Sequence, residues 1–323
     1  MGPYLGTPNT EKDSEHGDSE FCRWGATSMQ GWRKSQEDAH IARTDLPDGV
    51  CLFGVFDGHG GKEVSIFVKE KFVQELIKLD EYKNRQYGDA LKKCFRRMDT
   101  MMEEPEGRAR LKQIQEEHGS PDPFSGGLAR GEDESIAKFT GCTATVVLMS
   151  QTHMVCANAG DSRSVLGRAS GPQMCFALSD DHKPDNPGEK ARIEAAGGFV
   201  EENRVNGSLN LSRSIGDFEY KSSEELPFTQ QQVTVDPEIR QIARQPADSF
   251  LVLACDGIWD CLTSEECIGQ TRDSLARHPD GQPLTKITEE MFDRIIATDI
   301  LSSAGVGTDN MTCIIVQLKQ NAK

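Results

Sequence analysis

Apolar positions recur along the chain at spacings that assign most of it to strands or helices. Segments near residues 23–29, 39–44 and 50–56 read as strands. The last of these, CLFGVF, is apolar on both faces and belongs in the interior of a sheet. Two helices should follow. Val64, Phe67, Val68, Phe72, Leu76 and Leu79 repeat at helical spacing in the first, and Leu91, Phe95, Met98 and Met102 in the second. Residues 103–138 break every period and are dense in charge, Pro and Gly, so they read as an exposed insertion within the domain.

Strand-like sequence then resumes in TATVVLMS, HMVCANAG, RSVLGR and MCFALS, joined by the short connections of antiparallel sheet. A helix is expected over 187–196, with Asn186 as N-cap, Pro187 in the first turn and Gly197 as its stop. The strand FLVLAC leads to a helix opened by a Thr263–Glu266 capping box, then to a final helix and the closing strand MTCIIVQL. Helices cluster in blocks instead of alternating with strands, which makes the class α+β: two stacked, mainly antiparallel sheets flanked by helices. Residues 1–20 carry many charges and turn formers and few large apolar groups, so they are expected to form a flexible tail ahead of one domain over 21–323.

Charge and cysteine usage narrow the function. The 36 basic and 52 acidic residues give a net charge of −16, which repels a phosphate backbone, so nucleic acid is not expected as a partner. No apolar run reaches the roughly 18 residues that span a bilayer, which points to the cytoplasm or nucleus. Gly2 raises N-myristoylation, but the acylation pattern wants Ser or Thr at position 6, where this chain has Gly6 followed by Thr7. The ten cysteines lie singly in apolar segments, form no CxxC pair and read as reduced, buried thiols. None stands six residues before an arginine, the spacing of a thiol-based phosphate loop.

Four aspartates share one setting. Asp57 ends an apolar strand and precedes Gly58, Asp161 ends HMVCANAG, Asp256 ends FLVLAC and precedes Gly257, and Asp309 opens the last strand. Taken singly, each Asp-Gly is a turn. Together they put uncompensated carboxylates at the rim of an apolar sheet, where charge is costly. No lysine or arginine adjoins Asp57, Asp256 or Asp309 in sequence, and the glycines leave room for backbone carbonyls to approach. Oxygen-only ligands suit hard cations such as Mg²⁺ or Mn²⁺, so a carboxylate cluster holding two metals is expected. No EF-hand spacing occurs. Upstream, GWRKSQEDAH brings Arg33, Glu37, Asp38 and His40 together, and the planar fork of Arg33 can grip a phosphoryl group in two places.

In order along the chain, GWRKSQEDAH, FGVFDGHGG, TGCTATVV, ANAGDSR, DHKPDNPGEKARIEAAGGFV, RVNGSLNLSRSIGDFEYK, LACDGIWD and GTDNMT resemble the metal-dependent 2C-type serine/threonine protein phosphatases. The resemblance implies two Mn²⁺ or Mg²⁺ ions bridged by Asp57, with the Gly58 carbonyl, Asp256 and Asp309 as further ligands. It makes Glu37 and Asp38 the pair that orders metal-bound waters, and Asp161 a ligand of a weaker third ion. Arg33 then binds the substrate phosphate and His59 acts as general acid, the alternative for His59 being a cap on its glycine turn. Residues from His182 to about Tyr220 resemble the family's flap beside the active site, where Arg204 and Arg213 could reach substrate or serve only the structure.

Phosphate monoesters need accelerations of up to about 10²¹-fold, and two metals roughly 3.5–4 Å apart supply an activated water and a charge clamp. Direct attack on phosphorus without a phosphoenzyme is therefore expected, on phosphoproteins, by a monomer. Two rivals remain at this level. An aspartate-nucleophile phosphatase needs a second Asp two residues beyond Asp256, where Ile258 stands. A catalytically weak phosphoprotein-binding scaffold would have lost metal ligands, yet Asp57, Asp256 and Asp309 are all present.

Overall fold

The computed structural model describes residues 4–118, 135–277 and 282–319. Most of its strands, numbered in chain order, build two large antiparallel sheets. The first runs β1 (Tyr4–Asp18), β2 (Cys22–Arg33), β16 (Met311–Leu318), β15 (Asp248–Ala254), β9 (Arg163–Arg168), β10 (Cys175–Ala177). The second runs β14 (Glu238–Ala243), β8 (His153–Ala159), β7 (Ala144–Met149), β4 (Val50–Phe56), β3 (Ala39–Leu46). As the unbroken apolar run requires, β4 lies inside its sheet and all seven of its residues are buried.

The sheets stack face to face. Trp24, Leu251, Leu253, Ile314 and Val316 from the first share one core with Phe53, Val55, Val147 and Cys156 from the second. Trp24 meets Phe53 edge to face, with ring centroids 6.3 Å apart. Outside the second sheet lie α1 (Glu63–Leu76), α2 (Asp80–Lys83), α3 (Tyr87–Glu103) and α4 (Pro105–His118). The stripes read from the sequence face this sheet: Phe67, Phe72, Leu91, Phe95 and Met98 are fully buried, each such side chain contributing roughly 1.5–3 kcal/mol. Later in the chain come α5 (Pro187–Ala195), α6 (Asp256–Trp259), α7 (Ser264–Arg277), α8 (Thr285–Ile295) and α9 (Ile300–Ser303), with α7 and α8 covering the first sheet. The Thr263–Glu266 capping box forms as expected: Thr263 N donates to Glu266 Oε2 (2.9 Å) and Glu266 N to Thr263 Oγ1 (3.2 Å).

Three expectations need correction. Residues 4–18 are not a tail but the edge strand β1, paired with β2 over Tyr4–Asp18. Its side chains are mostly exposed, so backbone pairing and polar links hold it where apolar burial cannot: Lys12 reaches Asp293 (2.6 Å), Ser14 reaches Glu289 (2.8 Å) and Glu15 reaches His40 (2.8 Å). Nor is 103–138 exposed throughout. Pro105–His118 is helical, with Leu111 and Ile114 buried and Arg110 gripping Glu70 at 2.6 and 3.0 Å, while residues 119–134 lie outside the described residues. Asn186 makes no side-chain cap on α5; its Nδ2 donates to the Asp181 carbonyl (2.8 Å).

Strand registers bring distant segments to one end of the sandwich. Asp57 leaves β4, Glu37 and Asp38 enter β3, Asp161 follows β8, Asp256 follows β15 and Asp309 precedes β16. Val55 pairs with Thr145, Ala144 with Ala159, Ala39 with Phe56 and Ala254 with Cys313, so all these loops share that end. A small sheet beside it joins β5 (Gly58–His59), β6 (Gly141–Cys142) and β13 (Ile215–Gly216). Over residues 182–220, a hairpin of β11 (Val200–Glu201) and β12 (Arg204–Val205) packs with α5 on a small core of Ile193, Val205 and Val233.

Candidate active site

The glycines after Asp57 and Asp256 have a structural reason. A Cβ on Gly58 would lie 2.3 Å from the Glu37 carbonyl oxygen, and one on Gly257 would lie 2.0 Å from that of Asn310. Only glycine lets these backbones approach so closely. Asn310 then ties the loops together: its Nδ2 donates to the carbonyls of Gln30 (2.8 Å) and Ser35 (2.9 Å), and its Oδ1 accepts from Glu37 N (3.0 Å).

Ligand atoms of Asp38, Asp57 and Cys255 lie within 4.8 Å of one another. Burial pushes the Asp57 carboxyl well above its ordinary range, and the charges of Asp256, Asp38, Asp309 and Asp161 add to that. Asp256 is raised in the same way, by burial and then by Asp161 and Asp309. Asp38 is pushed up to about 7, first by burial, against a hydrogen bond from Thr312 Oγ1 (2.7 Å) to its Oδ2. Its Oδ1 is buried without a hydrogen-bond partner. Cys255 is held as a thiol: burial and the neighbouring aspartates push it up, its Sγ accepts from Thr312 N (3.1 Å), and it donates to the Asn310 carbonyl (3.5 Å). What remains is a cluster of hard oxygen donors whose repulsion a divalent cation relieves, so the residues fit such an ion.

Basic groups enter where sequence adjacency gave none. Arg33 Nη2 reaches Asp309 Oδ2 (2.5 Å) from the end of β2, which corrects the expectation of an unpaired Asp309. Lys183 Nζ reaches Asp161 Oδ2 (2.5 Å), where burial raises the carboxyl and the ammonium opposes it. Among the described residues neither Asp57 nor Asp256 makes such an ion pair. The Glu37 carboxylate accepts from Ser35 Oγ (2.6 Å) and Gly61 N (3.1 Å).

His59 lies on β5 with its Nε2 2.8 and 2.9 Å from the two carboxylate oxygens of Asp217. Burial works against the imidazolium, but the Asp217 charge outweighs it and the imidazole is held above its ordinary value. The contact runs to Asp217, not to the glycine turn as a cap. Arg213 is structural: it grips Glu189 (2.7 Å), which also takes Arg192 (2.8 Å). Arg204 donates to the Ser208 carbonyl (2.6 Å) within its own loop.

Sequence reasoning had no role for Lys183 or Asp217, although both stand inside the segments DHKP and SIGDFEYK that it singled out. Their reach to Asp161 and His59 depends on strand pairing that no local pattern reveals.

The family described as Protein phosphatase 2C matches residues 22–300. "Probable protein phosphatase 2C 3" of Paramecium tetraurelia is 43% identical over 321 residues, covering 99% of this chain and 100% of its own. "Probable protein phosphatase 2C 21" of Arabidopsis thaliana is 42% identical over 339 residues, covering 99% and 93%. Among solved structures, a serine-threonine phosphatase 2C from Toxoplasma gondii superposes with a TM-score of 0.72 at 20% identity, covering 95% of this chain and 99% of that one, a likeness of fold. Alike in sequence from end to end and in the sandwich that carries the carboxylates, this chain belongs to the protein phosphatase 2C family of serine/threonine phosphatases.

Proposed function

We propose that this chain removes phosphate from phosphoserine and phosphothreonine in proteins, using Mn²⁺ or Mg²⁺ held by Asp57, the Gly58 carbonyl, Asp256 and Asp309. Glu37 and Asp38 order the waters of the site, and Asp161 serves a weaker third ion. The observation that carries this reading is the half-buried cluster of like charges, Asp38, Asp57 and Asp256, gathered on one rim by loops from both sheets. Divalent ions in such a cluster lower the pKa of water and neutralise phosphoryl charge.

The chain's own side chains do the rest. Arg33, at the cluster's edge, offers a planar fork to the non-bridging phosphoryl oxygens, and its Nε is buried without a partner of its own. His59 holds a proton for the departing seryl or threonyl oxygen. Lys183 ties the first residues of the 182–220 flap to Asp161, which supports a flap that borders the site. Residues 21–323 act as one catalytic domain, as a monomer. No described helix is long and apolar enough to cross a membrane. The retained carboxylates argue for catalysis over a binding-only scaffold.

The test pairs turnover with binding. Wild-type protein should hydrolyse a phosphoserine peptide with Mn²⁺ present, and Asp57→Ala or Asp256→Ala should abolish both turnover and calorimetric Mn²⁺ binding while leaving the circular dichroism spectrum intact. Full activity in either variant sinks the assignment.

A further inference from the structure

We infer that Asp217 is a positioning residue for His59 and commits the imidazole to delivering its proton from Nδ1, an inference that rests on the phosphatase reading above. The small sheet supplies the geometry. His59 pairs with Gly141 on the central strand β6, and Gly141 pairs with Gly216 on β13. Because the middle residue has no side chain, Asp217 reaches across it: a Cβ on Gly141 would lie 2.2 Å from Asp217 Oδ2.

Asp217 is fixed for that reach. It adopts a left-handed backbone (φ 55°), which aspartate tolerates better than most residues, and its N donates to the Thr140 carbonyl (3.1 Å). Ser214 Oγ donates to Oδ2 (2.5 Å), and the side chain is 4% exposed. Behind it, Asp99 accepts from Gly216 N (2.8 Å) and from Lys221 Nζ (2.6 Å), and Lys221 also donates to the Ser214 carbonyl (2.8 Å). Both carboxylate oxygens then converge on His59 Nε2. A carboxylate that occupies Nε2 leaves Nδ1 as the nitrogen facing away from it and fixes the plane of the ring.

The step balances. Hydroxide adds to phosphorus, the bond from phosphorus to the seryl oxygen breaks, and its electron pair goes to that oxygen. The oxygen takes the proton from Nδ1. The imidazole is left neutral, its remaining hydrogen on Nε2 shared with Asp217, and a water that loses a proton restores both hydroxide and imidazolium. Inorganic phosphate and the free hydroxyl are released.

Leaving-group dependence tests it, since a seryl oxygen needs that proton and p-nitrophenolate departs without it. In Asp217→Asn, kcat on a phosphoserine peptide should fall about 100-fold further than kcat on p-nitrophenyl phosphate. In a His59→Gln background, adding Asp217→Asn should cost less than about twofold more on the peptide, as expected for residues acting as a unit. Gly141→Ala, which drives a methyl group into the Asp217 carboxylate, should show the same leaving-group bias. Equal losses on both substrates, no loss on either, or a further large loss in the double variant each overturn the inference. Wild-type protein inactive on both substrates overturns the phosphatase reading and this inference with it.

Discussion

Arg33 Nη2 stands 2.5 Å from Asp309 Oδ2, bringing the proposed phosphate-binding group and a proposed metal ligand into one ion pair. Both side chains are about one third exposed, at 40% and 32%, so the pair opens to solvent on one side and an arriving phosphoryl group can share the guanidinium. Arg33→Ala should therefore raise KM for a phosphopeptide roughly tenfold and lower kcat less. Arg33→Lys should recover only part of that, because a point charge lacks the fork. An unchanged KM in the alanine variant rules out the role.

Buried repulsion makes a second prediction about stability without metal. Asp57 is raised by burial and by four neighbouring aspartates, so as a carboxylate it opposes the fold until a cation arrives. In EDTA, Asp57→Asn should melt above wild type by several degrees. On adding Mn²⁺ the wild type should rise with ion concentration while the variant gains little, as linkage requires. A variant that melts lower in EDTA and still responds to Mn²⁺ would place the repulsion elsewhere.

Asp38 gives this effect a pH window. Its folded value is about 7 against an ordinary 3.8. A group raised on folding contributes stability that is full below its unfolded pKa and is lost as pH climbs through the folded one. Metal-free protein should thus lose the Asp38 contribution between about pH 4 and pH 7, with a slope of at most roughly 1.4 kcal/mol per pH unit. Asp38→Asn should flatten that part of the profile, measured by urea unfolding in EDTA, and a profile identical to wild type refutes the attribution.

The pair of Lys221 and Asp99 is nearly buried, with side chains 9% and 12% exposed and 2.6 Å between charges. Breaking one half leaves a charge without its counter-charge. Lys221→Met should cost about 3–5 kcal/mol, and Asp99→Leu combined with Lys221→Met should recover much of it, since two apolar side chains replace the pair without orphaning either charge. Chemical denaturation of the three variants gives the answer, and strictly additive losses contradict it.

What could be read from the residues alone follows from where each signal resides. Val50–Phe56 was legible because both its faces are apolar, and Asp57, Asp161, Asp256 and Asp309 because each abuts such a strand. The Asp217 contact was not, since it joins residues 158 positions apart through strands two residues long, too short for any period. The helix Pro105–His118 leaves no periodic mark because Leu111 and Ile114 are its only large apolar side chains, too few to make a stripe among charges. Strand β1 was missed because an edge strand is defined by backbone pairing, which leaves no mark on composition.

That strand carries the last prediction. β1 covers the edge of β2, seats Glu15 against the buried His40, and places the Tyr4 hydroxyl to accept from Thr308 Oγ1 (3.2 Å), one residue from Asp309. His40 continues inward through Ser28 Oγ (3.4 Å) and Thr312 Oγ1 (3.0 Å) to Asp38, so the edge strand and the site share one hydrogen-bonded chain. Each backbone bond lost with β1 contributes roughly 0.5–1.5 kcal/mol, and the bared edge of β2 invites pairing between molecules. Deleting residues 2–18 should lower the melting temperature by several degrees and produce concentration-dependent oligomers on size-exclusion chromatography, whereas Glu15→Ala should lower the melting temperature slightly and leave the elution position of the wild type unchanged. A tail held only loosely would leave both measurements unchanged on deletion, and that result would return residues 4–18 to the role their composition alone suggests.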